Sequence, residues 1–254
     1  MTQREKKIPP RIIRFWHDRA TLPAEYREAM EESAPHSEGM ELLFVDDAFM
    51  HGWLPEAYPF VHDVYRRTRV ESIRSDLARL TLLHRYGGIY MDMSIRLRAP
   101  IYPLVDPEAE VVLLRRDDQG RYARYPEQAH IGAMILTAMP GSPFIACALS
   151  HLVDTLVRGH YNHHILFAAT KYTDDTYIRW LDTEPRPPVR FGFFSFKALK
   201  ARYLDHIRTP KLANSWRAHE TDGIFDPDDL AFLQRGYSRL PCPLWDGMNR
   251  GERR

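Results

Sequence analysis

The sequence has little that would mark a secreted, membrane-spanning or nucleic-acid-binding protein. It contains only two cysteines, Cys147 and Cys242, whose spacing matches no metal-binding motif, and we interpret them as free thiols in a reducing compartment. No apolar run is long enough to cross a bilayer, and the charged start MTQREKKIPP lacks the apolar core of a secretory signal. Lys and Arg (35) nearly balance Asp and Glu (34), so the net charge of +1 gives no reason to expect nucleic acid as a partner. These absences predict a soluble, cytoplasmic protein.

A helix, a tight turn, a short strand and an acidic tip follow one another between residues 70 and 94. Apolar residues recur there at three- and four-residue steps, as on a helix face that packs against a core: Val70, Ile73, Leu77, Leu80 and Leu83. Gly87 and Gly88 end the predicted helix, because glycine accepts the left-handed backbone of a C-terminal cap. The apolar residues 89–91 suit a buried strand. Asp92 then follows at the carboxyl end of that strand, where open α/β sheets bind their ligands.

Two charged residues, Asp76 and Arg79, lie on another face of the same predicted helix. At three-residue spacing they could form an exposed ion pair that contributes only a few tenths of a kcal/mol, roughly, to stability. Their position just before the glycine turn and Asp92 favours a functional site instead.

Strands and helices alternate along the rest of the chain, which predicts an α/β fold. We expect strands at 11–16, 40–45, 95–98, 110–114 and 189–196, and helices at 23–32, 144–158 and 197–207. Thr173 or Asp174 is expected to cap a helix, and the acidic stretch 226–229 and the end around 241–243 to be peripheral. The pair at 46–47 could form part of a site or cap a helix, and the histidines at 160, 163 and 164 indicate a polar loop rather than a zinc site. Phe15 and Trp16 are either core aromatics or a platform for a nucleotide base.

The run SDLARLTLLHRYGGIYMDMS, residues 75–94, resembles the DXD-containing sugar-binding region of GT-A glycosyltransferases of the capsular-polysaccharide and mannosyltransferase type, a group distantly similar to the glucosylating toxin domains. The opening IPPRIIRFW and the later ANSW, residues 213–216, are also similar to segments of that family. The resemblance implies a single GT-A domain with a Rossmann-like mixed sheet flanked by helices and an irregular C-terminal extension. Its donor-binding core would span about residues 8–115, and its acceptor-binding and closing part about residues 116–254.

The resemblance also implies roles for particular residues. Asp76 would accept hydrogen bonds from the donor sugar with Ser75 beside it, and Arg79 would neutralise or orient the donor diphosphate. Asp92, at the first DXD position, would contact a divalent metal or the ribose. The donor site would be completed by the base-stacking pair Phe15 and Trp16, by Tyr90 in the sugar pocket, and by Asn214, Ser215 and Trp216 over the diphosphate or the metal.

The sequence departs from the family pattern at three places. Ser94 replaces the second acid of the motif, so Asp92 and Ser94 would hold Mn²⁺ or Mg²⁺ weakly, because a carboxylate charge is missing. Lys211 stands where related sequences often carry a histidine, and we hypothesise that it contacts the diphosphate directly and partly substitutes for the metal. Residues 168–171, Ala-Ala-Thr-Lys, replace a Gly-Pro pair of the family, which makes acceptor inferences unsafe.

The resemblance implies an enzyme that moves a hexose from a UDP- or GDP-sugar to a saccharide, lipid-linked or protein acceptor, with retention of configuration. The Asp-Met-Ser tip motivates an alternative, in which the protein is a weak or inactive relic that binds a sugar nucleotide or a protein partner without turnover. A third hypothesis is a toxin-like effector that modifies a host protein.

Overall fold

The computed structural model describes residues 7–116, 130–158, 165–207, 223–238 and 240. The strands in these ranges are β1 Arg11–Phe15, β2 Glu41–Val45, β3 Gly88–Met91, β4 Ile95–Leu97, β5 Val111–Arg116, β6 His130–Ala138, β7 Phe191–Ser195 and β8 Leu204–His206. The helices are α1 Ala24–Ser33, α2 Asp47–Ala57, α3 Pro59–Arg67, α4 Glu71–Tyr86, α5 Pro143–Arg158, α6 Ile165–Asp182, α7 Phe196–Arg202 and α8 Pro227–Gly236.

The main sheet of the described residues has six strands in the order β2-β1-β3-β6-β5-β7. Strand β1 pairs in parallel with β2 and β3, and β5 pairs in parallel with β7, while β6 runs antiparallel to β3 and β5. The short strands β4 and β8 form a separate antiparallel pair. The predicted mixed sheet flanked by helices is therefore confirmed.

Side chains of the central strands alternate between two hydrophobic cores, one on each face of the main sheet. On β1, Ile13 belongs to the core formed with helices α4 and α5, whereas Ile12 belongs to the core formed with β4 and β8. On β3, Tyr90 and its neighbour Ile89 divide in the same way. This two-residue period is that of a strand buried on both faces, and it explains why these strands consist of apolar runs.

The turn between α4 and β3 requires glycine at both of its positions. The Gly87 N–H donates to the carbonyl of Leu83 at 2.9 Å and closes the helix. Gly88 has a φ of 116°, and a Cβ atom there would lie 2.7 Å from the carbonyl oxygen of Arg11 on β1. Strand β3 can therefore approach β1 closely only because a side chain is absent.

The second half of the chain differs from its prediction at three places. Thr173 and Asp174 lie inside α6 rather than at a helix N-terminus. The predicted helix 197–207 ends at Arg202, because residues 204–206 form β8 and pair with β4. The stretch beginning at Asp226 is not peripheral, since it leads into α8, whose Leu233 is fully buried in the main core.

The structure also bears on two predictions, one about the cysteines and one about membrane-spanning segments. Cys147 on α5 is disulfide-bonded, so its interpretation as a free thiol is wrong; the only other cysteine, Cys242, lies outside the described residues. The argument for a reducing compartment therefore no longer supports a cytoplasmic location. Among the helices described, none is long and apolar enough to cross a membrane.

Candidate functional site

The candidate site lies where the parallel strands β1, β2 and β3 end at the same edge of the sheet. Trp16 follows β1, Asp46 follows β2 and Asp92 follows β3. Asp46 acts as a helix cap, because its Oδ1 accepts a hydrogen bond from the N–H of Phe49 at 2.9 Å. Asp92, which follows β3, therefore supplies the carboxylate that this edge offers to a site.

Main-chain hydrogen bonds hold the acidic tip in place. The Asp92 N–H donates to the carbonyl of Met134 on β6 at 2.9 Å. The Asp92 carbonyl accepts from the N–H of Ile95 at 3.0 Å and from Nη1 of Arg14 on β1 at 3.2 Å. The backbone of the tip is thus fixed to two neighbouring strands, and the Asp92 side chain stays 33% exposed.

A buried arginine, Arg79, joins the acidic tip to helix α4. Its Nη2 donates to Oδ1 of Asp92 at 2.7 Å, and its Nη1 donates to Oδ1 of Asp76. Nη1 also donates to the hydroxyl of Tyr172 on α6 at 3.2 Å, and the guanidinium carbon lies 4.6 Å from the ring centroid of Tyr90. The side chains of Asp76 and Arg79 are 3% and 5% exposed. The exposed-ion-pair alternative is therefore wrong for this pair.

Burial and charge act against each other in this cluster. Burial raises the pKa of Asp76 to about 7, although the Arg79 guanidinium opposes the change. Burial also raises the pKa of Asp92, again against Arg79. Burial lowers the pKa of Arg79, but the two carboxylates outweigh it and raise that pKa above its ordinary value. Arg79 stays charged and is the counterion that both acids share.

Two buried polar atoms of the cluster are unsatisfied. Neither Oδ2 of Asp76 nor Nε of Arg79 has a hydrogen-bond partner among the residues that the structure describes. Buried polar atoms are nearly always hydrogen-bonded, so these two atoms are exceptions within the cluster.

The predicted donor-binding residues occupy different surroundings. Ser75 Oγ lies 3.0 Å from the hydroxyl of Tyr90, so these two lie together beside Arg79. Trp16 is partly buried, packs edge-on to Tyr26 at 5.6 Å between ring centroids, and has an indole N–H without an acceptor in the described part of the chain. Phe15 is 4% exposed within the main core, which favours the core interpretation for this residue over contact with a base.

Several predicted residues cannot be placed. Lys211, Asn214, Ser215 and Trp216 lie outside the described residues, as do the histidines at 160, 163 and 164. Conversely, the sequence offers no indication of Tyr172, which contacts Arg79 in the structure. Tyr172 lies in the middle of a helix, 93 positions from Arg79, and no local pattern marks such a contact.

The donor set at the tip fits a divalent cation only with help from a ligand. Asp92 Oδ1 accepts from Arg79, and Ser94 offers a hydroxyl in place of the second acid. The described residues contain no group of three or more His, Cys, Asp or Glu side chains that could hold a metal ion. Mg²⁺ sites commonly use one or two carboxylates together with substrate phosphates, and Asp92 with a bound diphosphate meets that requirement.

Known proteins share this fold and part of this sequence. The fold is similar to that of the PaToxG glycosyltransferase, with a TM-score of 0.50 at 14% identity over 68% of each chain. Together with the mixed sheet, this defines a GT-A-like glycosyltransferase fold. Residues 23–111 match the family described as "Glycosyltransferase sugar-binding region containing DXD motif", which confirms the resemblance seen in the sequence.

Curated relatives match over part of their length. Inositol phosphoceramide mannosyltransferase 1 of Schizosaccharomyces pombe is 26% identical over 103 residues, which are 39% of this chain and 32% of that protein. Mannosyl phosphorylinositol ceramide synthase SUR1 of Saccharomyces cerevisiae is 20% identical over 146 residues, 58% of this chain and 35% of that protein. The chain thus spans about a third of the length of these relatives.

Proposed function

We propose that this protein is a nucleotide-sugar-dependent glycosyltransferase. It would move a hexose from a UDP- or GDP-sugar to a saccharide, lipid-linked or protein acceptor. The observation that carries the proposal is the buried Asp76–Arg79–Asp92 cluster, which lies at the shared end of three parallel strands inside the segment that matches the sugar-binding family. A buried ion cluster is costly to form, and open α/β sheets bind their ligands at this edge.

Asp76 is assigned to the donor sugar. Its Oδ2 is buried and lacks a donor among the described side chains, so a sugar hydroxyl would satisfy it. Ser75 and Tyr90, joined across 3.0 Å, would line the same pocket. Such a pairing would let the site discriminate between sugars. A sugar analogue that lacks the hydroxyl would leave the buried oxygen of Asp76 without a hydrogen bond, and this would weaken its binding.

Arg79 is assigned to preorganisation. Its two Nη atoms already bind both carboxylates and the Tyr172 hydroxyl, so the guanidinium holds Asp76 and Asp92 in a fixed relation before any donor arrives. Fixed groups need no reorganisation when the leaving diphosphate develops charge. Lys211 and Trp216 with its neighbours stay proposed donor contacts from the resemblance alone.

Asp92 is assigned to the diphosphate end of the donor, with Ser94 beside it. When bound there, Mn²⁺ or Mg²⁺ would neutralise the charge of the departing diphosphate. The mechanism we propose is front-side attack by the acceptor hydroxyl. The bond between the anomeric carbon and the diphosphate oxygen breaks, the acceptor oxygen bonds to the same face of that carbon, and the hydroxyl proton passes to the leaving phosphate, so configuration is retained.

The first test is donor binding and slow donor hydrolysis with a panel of GDP- and UDP-sugars, each with Mn²⁺, with Mg²⁺ and with EDTA. GDP-mannose heads the panel because the relatives are named as mannosyl-transferring proteins. Asp92→Asn keeps the volume of the side chain and removes its charge, and we expect donor hydrolysis to fall by at least about 100-fold. The matched control is Asp228→Asn, which removes an exposed carboxylate at the start of α8.

The binding-module alternative rests on the replacement of the second acid by Ser94. Saturable binding of one donor without hydrolysis, and without transfer to any acceptor in a glycan and glycolipid array, would favour it. If no donor raises the melting temperature under any metal condition, the glycosyltransferase proposal is wrong.

A further inference from the structure

Arg14 is a buried cation on the face of the main sheet that lies away from helix α4. It follows Ile12 by two positions on β1, so it lies on the same face as Ile12, on the side of the core formed with β4 and β8. Arg14 is 5% exposed. Its hydrogen bond to the described part of the chain runs from Nη1 to the carbonyl of Asp92 at 3.2 Å. The guanidinium is thus held by a main-chain dipole, which carries no net charge.

Arg14 has no counterion of its own. No carboxylate in the described ranges forms an ion pair with its guanidinium, and Oδ1 of Asp92 accepts from Arg79 instead. Burial lowers the pKa of Arg14 to about 10, and the charge of Asp92 only partly opposes this change. Burial also acts on Arg79, but the carboxylates that Arg79 contacts raise its pKa above the ordinary value. A buried charge is costly unless it is paired, and Arg14 stays cationic at neutral pH.

A cavity of about 30 Å³ is lined by Arg14 and lies between β1, α1 and the edge strand β2. Its walls are mostly apolar and include Ile12 from β1, Met30 from α1, and Leu42 and Phe44 from β2. Leu42 is 57% exposed, so the cavity lies close to the surface and an ion can reach it from solvent. A space of this size holds about one or two water molecules, or a single ion somewhat larger than water.

The polar groups of the walls restrict the charge of an occupant. Ser33 and Ser37 also line the cavity, but the Ser33 hydroxyl donates to the carbonyl of Ala29 and the Ser37 hydroxyl donates to the carbonyl of Ser33. Arg14 is therefore the one cationic group among the lining residues. A single guanidinium balances one negative charge. A phosphate or sulfate would bring additional charge and oxygen atoms that apolar walls cannot satisfy.

We propose that this cavity binds one small monovalent anion of the halide class, with Arg14 as its counterion. The ion accepts from the guanidinium, while Nη1 keeps its bond to the Asp92 carbonyl. A weakly hydrated guanidinium suits such a partner better than a strongly hydrated ammonium would. None of the lining residues is assigned to the sugar donor, so this site does not depend on the proposed glycosyltransferase function.

The test is thermal denaturation in sodium chloride and in sodium gluconate at equal ionic strength. An ion that binds only the folded state stabilises it by mass action, so we expect chloride to raise the melting temperature by at least about 2 °C over gluconate, with saturation. Arg14→Met removes the charge and keeps an unbranched, adaptable side chain, and it should abolish the difference between the two salts. The matched control is Arg27→Met, which removes an exposed charge from α1 and should keep the full difference.

Equal melting temperatures of the wild type in the two salts, at every concentration, would overturn the assignment. A chloride-specific gain that persists in Arg14→Met would overturn it as well, because the ion would then act at another place on the protein.

Bromide diffraction keeps the assignment testable if Arg14→Met does not fold. Wild-type crystals soaked in sodium bromide should show an anomalous peak in the cavity, in contact with the guanidinium of Arg14. Water alone in the cavity, or bromide only at other places, would overturn the assignment. A bromide peak beside Arg14 without any gain from chloride in solution would mean binding at crystal concentration only, and it would also count against the site.

Discussion

Two arginine–aspartate pairs with identical spacing lie on neighbouring helices and differ in almost everything else. Asp63 and Arg66 on α3 are three residues apart, as are Asp76 and Arg79 on α4. The α3 side chains are 33% and 44% exposed, whereas those on α4 are 3% and 5% exposed. The local sequence therefore determines the spacing of the two charges, whereas the fold determines whether the pair is exposed or buried.

The difference follows from what surrounds each helix. Helix α3 keeps its charged face at the surface, where Asp63 also accepts from Arg67 at 2.9 Å. Helix α4 is covered by the strands and by α5 and α6, so its charged face meets Asp92 and Tyr172 instead of water. The same attraction is screened at the surface and strong in the interior, where desolvation also makes it expensive to break.

Removing the arginine from each pair should give the largest contrast. Arg79→Ala removes the counterion of the buried Asp76 and of the partly exposed Asp92, and we expect it to lower the free energy of unfolding by about 3 kcal/mol. Arg66→Ala should cost no more than about 1 kcal/mol, because exposed pairs contribute little. Urea denaturation followed by circular dichroism measures both. Equal losses for the two variants would mean that the buried cluster is no more than an ordinary ion pair.

Glycine substitutions extend the contrast to the backbone. Gly88→Ala places a Cβ 2.7 Å from the Arg11 carbonyl at a φ of 116°, and we expect a loss of roughly 3 kcal/mol. Gly52→Ala in α2, where nothing lies within 4 Å of the added atom, should gain up to about 1 kcal/mol from helix propensity. Thermal denaturation of both variants checks the opposite signs, and a neutral Gly88→Ala would contradict the close approach of β3 to β1.

The stability of the protein should depend on pH through the buried carboxyl group of Asp76. The pKa of Asp76 rises from its ordinary value of 3.8 to about 7, chiefly through burial, so the folded state binds a proton more tightly than the unfolded state. The contribution of this group to stability is therefore present below pH 3.8 and is lost as the pH rises towards 7. Its slope is at most about 1.4 kcal/mol per pH unit. Asp76→Asn should flatten this part of the stability profile measured between pH 8 and 5.5; an unchanged profile would refute the raised pKa.

The smallest predicted change in stability comes from His62 near the surface, and its pH dependence is opposite to that of Asp76. Burial, followed by the charges of His51 and Arg66, lowers the pKa of His62 below its ordinary value of 6.5. The unfolded state then takes up the proton first, so stability is lost as the pH falls through 6.5 towards the folded-state pKa. His62→Gln should remove this loss, which we expect to be under about 1 kcal/mol because the site is partly hydrated. Melting temperatures of wild type and variant at pH 7.5 and 5.5 measure the difference.

The first half of the fold could be predicted because its signals are local. The apolar stripe of α4, the glycine pair and the short strand to Met91 each act on residues near in sequence, and they placed Asp92 correctly at a strand end. The match of residues 23–111 to the sugar-binding family covers the same part of the chain. The proposed roles of Asp76, Arg79 and Asp92 stay predictions, although their clustering is now a geometric fact.

The second half could not be predicted because its structure depends on distant partners. Residues 204–206 directly follow a basic helical stretch and are predicted to continue it, but pairing with β4 makes them a strand. Tyr172 reaches Arg79 only because α6 packs beside α4, and a helical tyrosine carries no sign of that contact. Such positions acquire a role through packing, which one sequence does not display.

The main-chain anchoring of the tip has an evolutionary consequence. Its turn is held by backbone bonds to Met134, Ile95 and Ile207, and by Arg14 through a carbonyl rather than a side chain. The conformation therefore does not depend on which side chain stands at position 94. Exchange of serine for aspartate there would be a single substitution that leaves these backbone bonds in place, so the second acid can be added to the tip on the same scaffold.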